Sequence, residues 1–452
     1  MAARARKKPS ATPRIGLALA GGGPLGAIYE IGAMCALDDA LQGIDFNDLQ
    51  GYVGVSSGGF IASGLANGLS PRELCDAFIE NVGPSHDVFE PSLLLQPAWL
   101  EIMQRLAQLP MLMGQAWFEY LASGGSIATG FERVARALPT GLFSNDAIDT
   151  QLRRLLSLPG RSNDFRELKR QLVVVATDLD TGESVPFGLP GLDAVPISKA
   201  IQASAALPGL YPPVEINGHH YVDGVLKKTL HASVLLEQGL DLLICLNPLV
   251  PYDASADASA DPSADSSAPA STDSNLPPQH HRHSKGRGRI PKLVEAGLPV
   301  VLSQTFRTLV HSRLDIGLKG YEQSYPDTTI VLFEPDHRDP QLFLANTFSY
   351  TQRRELAEHA YQQTRQQLRQ RRATLAPLLA QHGVALDADV LDDPHRYLLE
   401  KRRKPRPFQT KAKGTSLRVG AAVKQLEAVL GDLEAALPVA SRPTSKRTKV
   451  KG

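Results

Sequence analysis

The chain has 452 residues, 42% hydrophobic and 21% charged, with 48 Lys and Arg against 47 Asp and Glu and a formal net charge of +1. That composition can bury a large core, and its balanced charge excludes a uniformly basic nucleic-acid binder. Cys35, Cys75 and Cys245 are widely spaced in apolar runs, which excludes a disulfide framework or Cys-based metal cluster and predicts buried thiols in a reducing, cytoplasmic setting.

Residues 1–14 read as a basic disordered leader ending at the strand Ile15 to Ala20. The pair imitates a secretion signal, but an apolar run of about six residues is shorter than the usual 7 to 15, so a first strand is predicted. Gly21-Gly22-Gly23-Pro24-Leu25-Gly26 then opens a helix. Backbone N–H groups gathered at a helix start can face the oxygen that turns negative when an ester carbonyl is attacked. Glycine-rich loops also cradle phosphates, but the spacing here is not Gly-x-Gly-x-x-Gly and no Gly-Lys-Ser/Thr follows.

Tyr52 to Val55 is a short predicted strand, and Gly59 to Leu65 continues as a small-residue helix. Between them, Gly54-Val55-Ser56-Ser57-Gly58 places a serine on a strand-to-helix turn, where glycines allow the sharp bend and a close substrate approach. Ser70-Pro71-Arg72-Glu73 is a capping box with proline at the first helical position. The stretch from about 91 to 121 holds both tryptophans and many Leu and Met. It is expected to be a pair of helices packed on the core and walling an apolar pocket.

Ser144 to Asp146 opens the predicted helix Ala147 to Leu155, and Leu172 to Ala176 reads as a buried strand. Asp178 and Asp180 are expected to serve the bend at Asp180-Thr181-Gly182. Asn217-Gly218 is a two-residue hairpin signal that pairs Val214 to Ile216 with His219 to Val222 and delivers Asp223 to a strand end. Asp241 to Leu246 and Thr329 to Phe333 complete the strands. Strands alternating with helices point to a three-layer α/β/α architecture with a mostly parallel central sheet.

The catalytic core is thus assigned to residues 15–252. Residues 253–290 form a low-complexity insert of Asp, Ala and Ser expected to be disordered, in which His280, His281 and His283 are read as solvated and not as a metal site. Residues 291–375 complete the domain, and 376–452 are expected to be a helical to disordered basic tail. From residue 401 onward there are 14 Lys and Arg against 3 Asp and Glu, a charge that attracts anionic membrane surface. Without aromatic interleaving or a recognisable binding fold, nucleic acid is not an expected partner. No apolar run approaches the ~20 residues of a membrane span, so membrane contact is expected to be peripheral.

None of the twelve histidines stands in a loop with the signature of a base for Ser56. At this point the chain resembles the patatin-like phospholipases of bacterial type, lipid acyl hydrolases with a Ser-Asp dyad. Three blocks carry the likeness in order: Gly21 to Gly26, Gly54 to Gly58, and Asp223-Gly224 preceded by the Ala203-Ser204 to Pro212-Pro213 run. The stretch Ala176 to Glu183 adds to it. The resemblance implies Ser56 as nucleophile, Asp223 as base, and an oxyanion hole at Gly21, Gly22, Gly23, Gly26 and Ser57. It implies structural roles for Gly54, Gly58 and Gly224, a lipid acyl ester substrate, and no metal or organic cofactor. The same dyad suits acyl transfer or thioester hydrolysis, and the fold alone suits a non-catalytic lipid-binding module. Leu25 stands where many relatives carry Lys or Arg, and Val225 where many carry Gly or Ala. An aspartate of ordinary pKa, near 4, is a weak base for serine, so the site is expected to desolvate Asp223.

Overall fold

The computed structural model describes residues 13–82, 96–123, 138–253, 293–343 and 352–399. Strand β1 (Ile15–Leu19) is buried throughout, and the chain turns at Gly21 and Gly22 into α1 (Gly23–Ala40). After β2 (Leu41–Gln42) and β3 (Gly51–Gly54) it turns again at Ser56 into α2 (Ser57–Ala66). Helix α3 (Pro71–Cys75) starts on the expected capping box, with Ser70 accepting from the Glu73 amide. Then come α4 (Trp99–Ser123), α5 (Asp146–Leu156), β4 (Gln171–Asp178), β5 (Ser184–Phe187) and α6 (Ile197–Ser204).

The hairpin of β6 (Val214–Ile216) and β7 (His219–Asp223) turns on Asn217 and Gly218, with φ of 54° and 83°. Positive φ at both central residues is the reason for Asn-Gly there. Helix α7 (Ser233–Leu236), β8 (Leu242–Leu246), α8 (Leu298–Ser324), β9 (Thr329–Phe333) and α9 (Pro340–Phe343) follow. The described chain ends with α10 (Arg353–Gln370), α11 (Arg372–Ala380), β10 (Ala385–Leu386) and α12 (Ala388–Asp392).

The sheet runs β6-β7-β4-β3-β1-β8-β9, with β5 also on β4. Strands β4, β3, β1, β8 and β9 pair in parallel, whereas β5, β6 and β7 are antiparallel additions at the β4 side. Alternate residues explain the three layers. Leu17, Leu19, Leu172, Val174, Leu242 and Ile244 enter one apolar cluster with α1, α2 and α10. Ala18, Val53, Val173, Val175, Leu243 and Cys245 enter another with α7 and α8. A sheet buried on both faces needs apolar residues at successive positions, which is why these strands read as continuous apolar runs.

Three expectations need correction. The 91–121 stretch is, in its described part, one helix, α4, which runs through Pro110 with Met103, Met111, Met113, Trp117 and Phe118 exposed. Helix α5 opens at Asp146 as expected, and the Asn145 side-chain amide donates to the Pro212 carbonyl (3.2 Å). Arg14, placed in the leader, is tied to the fold by its backbone N–H, which donates to Asp241 Oδ2 (2.8 Å). The compact unit reaches Leu399, well past the expected boundary at 375. Leu379, Val384, Leu391, Leu398 and Leu399 are buried, and β10 pairs with β2. The buried Arg365 holds this segment by donating to the carbonyls of Leu391 (3.3 Å), Asp393 (2.8 Å) and Arg396 (3.1 Å). The insert 253–290 beyond Asp253 and the tail from residue 400 lie outside the described residues.

Candidate active site

Ser56 links β3 to α2 with φ 52° and ψ −120°, a conformation L residues rarely adopt. Such strain persists only where the surroundings enforce it, and here glycines do. A Cβ on Gly54 would lie 2.5 Å from the Gly58 carbonyl oxygen, and one on Gly58 would lie 2.4 Å from that of Leu19. The turn is therefore folded tightly on itself and onto β1. The Ser56 amide donates to Ser204 Oγ (2.8 Å), and that hydroxyl donates to the Val175 carbonyl (2.6 Å). Ser204, at the end of α6, thereby pins the serine turn to β4.

Removing that hydroxyl leaves two buried polar groups unpartnered, at a cost of about 1–3 kcal/mol. Ser204→Ala should accordingly lower stability by that amount, as read by chemical denaturation, and reduce turnover through a displaced Ser56. Unchanged denaturation and turnover would remove Ser204 from the site's support.

Asp223 ends β7 in register with Ala176, next to the carboxyl end of β3. Its amide donates to the Ala206 carbonyl (3.0 Å), and its own carbonyl accepts from Thr177 Oγ1 (3.2 Å). The side chain is buried, and Oδ1 accepts from the Val225 amide (2.9 Å). Burial pushes its pKa up to about 7, against the smaller lowering effects of the Val225 amide and a side-chain hydrogen bond with Ser56. The raised basicity expected of this carboxylate is present. Gly224 packs so closely that a Cβ would lie 2.2 Å from the Val175 carbonyl oxygen. Its carbonyl faces His231 Nε2 at 3.1 Å, which makes Nε2 the protonated ring nitrogen. His231 is itself buried, with its pKa lowered to about 4 by desolvation, so it is neutral and acts as a brace for the Asp223-Gly224 turn.

The glycine loop closes the third side. A Cβ on Gly21 would meet Ser56 Cβ at 2.9 Å, and Cβ atoms on Gly22 and Gly26 would meet Pro248 Cγ at 2.5 and 3.0 Å. Gly23, with φ +61°, starts α1 facing open space. The first turns of α1 and α2 carry N–H groups with no intrahelical acceptor, and Gly22, Gly23 and Ser57 belong to them. Ser57 Oγ is buried without a hydrogen-bond partner among the described residues.

The structure thus gathers Ser56, Ser57, Asp223 and Gly21, Gly22, Gly26, Gly54, Gly58 and Gly224 at one end of the parallel strands. It leaves Asp178 outside: Oδ1 accepts from the Asp180 and Thr181 amides (2.9 and 3.0 Å), the turn role expected of it. Ser204, Pro248 and His231 are the supporting residues that sequence reasoning missed. An apolar cavity of about 320 Å³ lies beside α2, with Phe60, Leu74, Phe78, Leu152 and Leu156 in its walls. Its lining among the described residues comes mainly from α2, α3, the helical turn Asp76–Glu80 that continues α3, and α5, and it includes none of Ser56, Asp223 or the glycine loop.

A family model described as patatin-like phospholipase matches residues 17–236. Solved structures similar to the chain include VipD from Legionella pneumophila, with 19% identity, 55% of this chain and 52% of that one covered, and a TM-score of 0.28. The type III effector protein ExoU of Pseudomonas aeruginosa has 15% identity, 79% and 53% coverage, and a TM-score of 0.31. Human GIVD cytosolic phospholipase A2, solved with a fluorophosphonate inhibitor, has 13% identity, 52% and 40% coverage, and a TM-score of 0.22. The chain spans about half the length of the first two.

Proposed function

Residues 17–236 belong to the patatin-like phospholipase family, and from that premise we propose that the chain is a serine lipid acyl hydrolase working through Ser56 and Asp223. The observation that carries this reading is a buried carboxylate, its pKa pushed up to about 7 by burial and lowered in part by the Ser56 side chain, which stands on a strained turn. Ser56 Oγ attacks the ester carbonyl while Asp223 takes its proton. The negative oxygen is received by N–H groups among Gly22, Gly23 and Ser57, where each donor is worth roughly 3 to 4 kcal/mol. Asp223 returns the proton to the departing alcohol, and then activates the water that releases the acid from Ser56. No step calls on a metal or an organic cofactor.

The substrate class is acyl esters of phospholipids or related glycerolipids. No helix among the described residues is long and apolar enough to cross a membrane. Peripheral contact with an anionic membrane is supported by the exposed Met103, Met111, Met113, Trp117 and Phe118 of α4 and by the Lys- and Arg-rich residues after 400. The three unpaired cysteines suit a reducing, cytoplasmic setting.

A fluorophosphonate serine probe tests the assignment. Folded wild-type protein should label and hydrolyse esters, and Ser56→Ala should do neither. Labelling that survives Ser56→Ala would move the nucleophile elsewhere, and folded wild type that never labels but binds vesicles would make the chain a lipid-binding module. Product analysis with an added alcohol separates hydrolysis from acyl transfer.

A further inference from the structure

A half-buried cluster of nitrogen and oxygen donors lies apart from the dyad, where α8 packs beside the end of β9. His311 comes from α8, Glu334 directly follows β9, and His337 stands three residues later; their ligand atoms all lie within 4.8 Å of one another. His311 Nε2 is 3.3 Å from Glu334 Oε2, and His337 Nε2 is 3.8 Å from Glu334 Oε1. Ligands about 2.0–2.1 Å from a tetrahedral Zn²⁺ stand roughly 3.3 Å from each other, so the His311–Glu334 pair already stands at the spacing of a coordination shell, and His337 has to draw in from its wider spacing to complete it.

Two further observations separate this cluster from a plain ion pair. His311 Nε2 is buried and, despite its short distance to the carboxylate, has no hydrogen-bond partner among the described residues. The nitrogen is close to the oxygen but not aimed at it, as expected of donors that converge on a point between them. On the other side of the ring, Asp315 Oδ2 lies 3.5 Å from His311 Nδ1. A carboxylate there holds the proton on Nδ1 and leaves the Nε2 lone pair for a metal, the usual outer support of a metal-binding histidine. Glu334 is oriented in turn by Asn247 Nδ2, 3.2 Å from Oε2.

We infer that His311, Glu334 and His337 form a binding site for a divalent transition metal of the Zn²⁺ class, with water in the fourth position. Two imidazoles and one carboxylate favour such an ion over Mg²⁺ or Ca²⁺, which take oxygen ligands. The site is a clamp behind the glycine loop. Asn247 also accepts from the Leu249 amide (3.1 Å), and between them Pro248 packs on Gly22 and Gly26. Metal binding therefore ties α8 and the end of β9 to the loop that backs Gly22 and Gly26. The reading of Ser56 and Asp223 is independent of it.

The test uses the full chain without a histidine tag, with His280, His281 and His283 changed to Ala so that this segment binds nothing. After chelation and dialysis, Zn²⁺ is titrated against a chromophoric chelator, and thermal unfolding is followed with and without Zn²⁺. One Zn²⁺ per chain is expected, with a rise in Tm of several degrees on loading. His337→Ala and Glu334→Gln should weaken affinity at least about 100-fold and abolish the Tm rise, while the metal-free proteins keep a folded circular dichroism spectrum. His337 lies nearer the surface than His311, so it serves where His311→Ala fails to fold. Zn²⁺ uptake equal in wild type and His337→Ala, or no uptake by wild type, would overturn the site and leave a protonated His311 bridging Asp315 and Glu334.

Discussion

Asp223→Asn should abolish ester turnover and, at the same time, make the protein more stable above pH 7. The two effects share one cause. Asp223 is buried with its pKa pushed up to about 7, while an unfolded aspartate titrates near 3.9. Between these values the folded state holds a proton that the unfolded state has lost, so stability falls as pH rises from about 4 through 7. The gap corresponds to roughly 4 kcal/mol of folding free energy in the fully ionised form. Asparagine removes the titration, keeps an oxygen for the Val225 amide, and so flattens the dependence. Activity runs the other way, because the base is the ionised form. In the wild type kcat/KM should rise about tenfold per pH unit up to about 7 and level off above it. Asp223→Asn should lose about 10⁴-fold, the scale seen when a serine loses its base partner. Tm measured at pH 5 and pH 8 for both proteins, beside pH–rate profiles, decides the matter. A wild-type profile flat from pH 5 to 8, or an Asn variant retaining turnover, would show that Asp223 is not the base.

The parts legible in the sequence are those fixed by neighbours along the chain. Ser56 stands out because the turn needs glycines two residues before and after it, and Asp223 because Asn217-Gly218 sets the register of its hairpin. The alternation of strand and helix likewise gives the layered architecture. Ser204, Pro248 and His231 were not legible, since each acts on a backbone group remote in sequence: Ser204 bridges Ser56 and Val175. A hydroxyl in an alanine-rich helix end or a proline after a strand has no local signature. The segment 376–399 was misplaced for a related reason. It carries one Arg against four Asp and has six Leu, so nothing in its own composition sets it with the basic residues after 400; what holds it is remote in sequence, the buried Arg365 of α10 donating to four of its carbonyls. His311 and Glu334 are more than twenty residues apart, so their meeting depends on α8 crossing to the β9 edge.

Gly58→Ala should cost roughly 3 kcal/mol or more of stability and nearly all turnover. Its new Cβ would lie 2.4 Å from the Leu19 carbonyl oxygen and 2.6 Å from that of Ala20. The Leu19 oxygen cannot move cheaply: it accepts from the Val55 amide (3.1 Å), and the Ala20 amide of the same peptide plane donates to the Leu246 carbonyl (3.0 Å). Relief would have to come from sliding α2 away from β1, which carries Ser56 and Ser57 out of reach of the glycine loop. The loss of turnover should therefore exceed what the fraction unfolded explains. Gly68, just beyond the same helix, is the control. It has φ +84° and open space around a Cβ, so alanine there meets only the left-handed backbone penalty of about 1–2 kcal/mol. Denaturation midpoints and the turnover of the folded fraction separate the two mechanisms. Equal, modest losses at Gly58 and Gly68 would mean that the contact of α2 with β1 relaxes around a Cβ at Gly58 at little cost. A large loss of both stability and turnover confined to Gly58 would mean that contact between α2 and β1 sets the position of the serine.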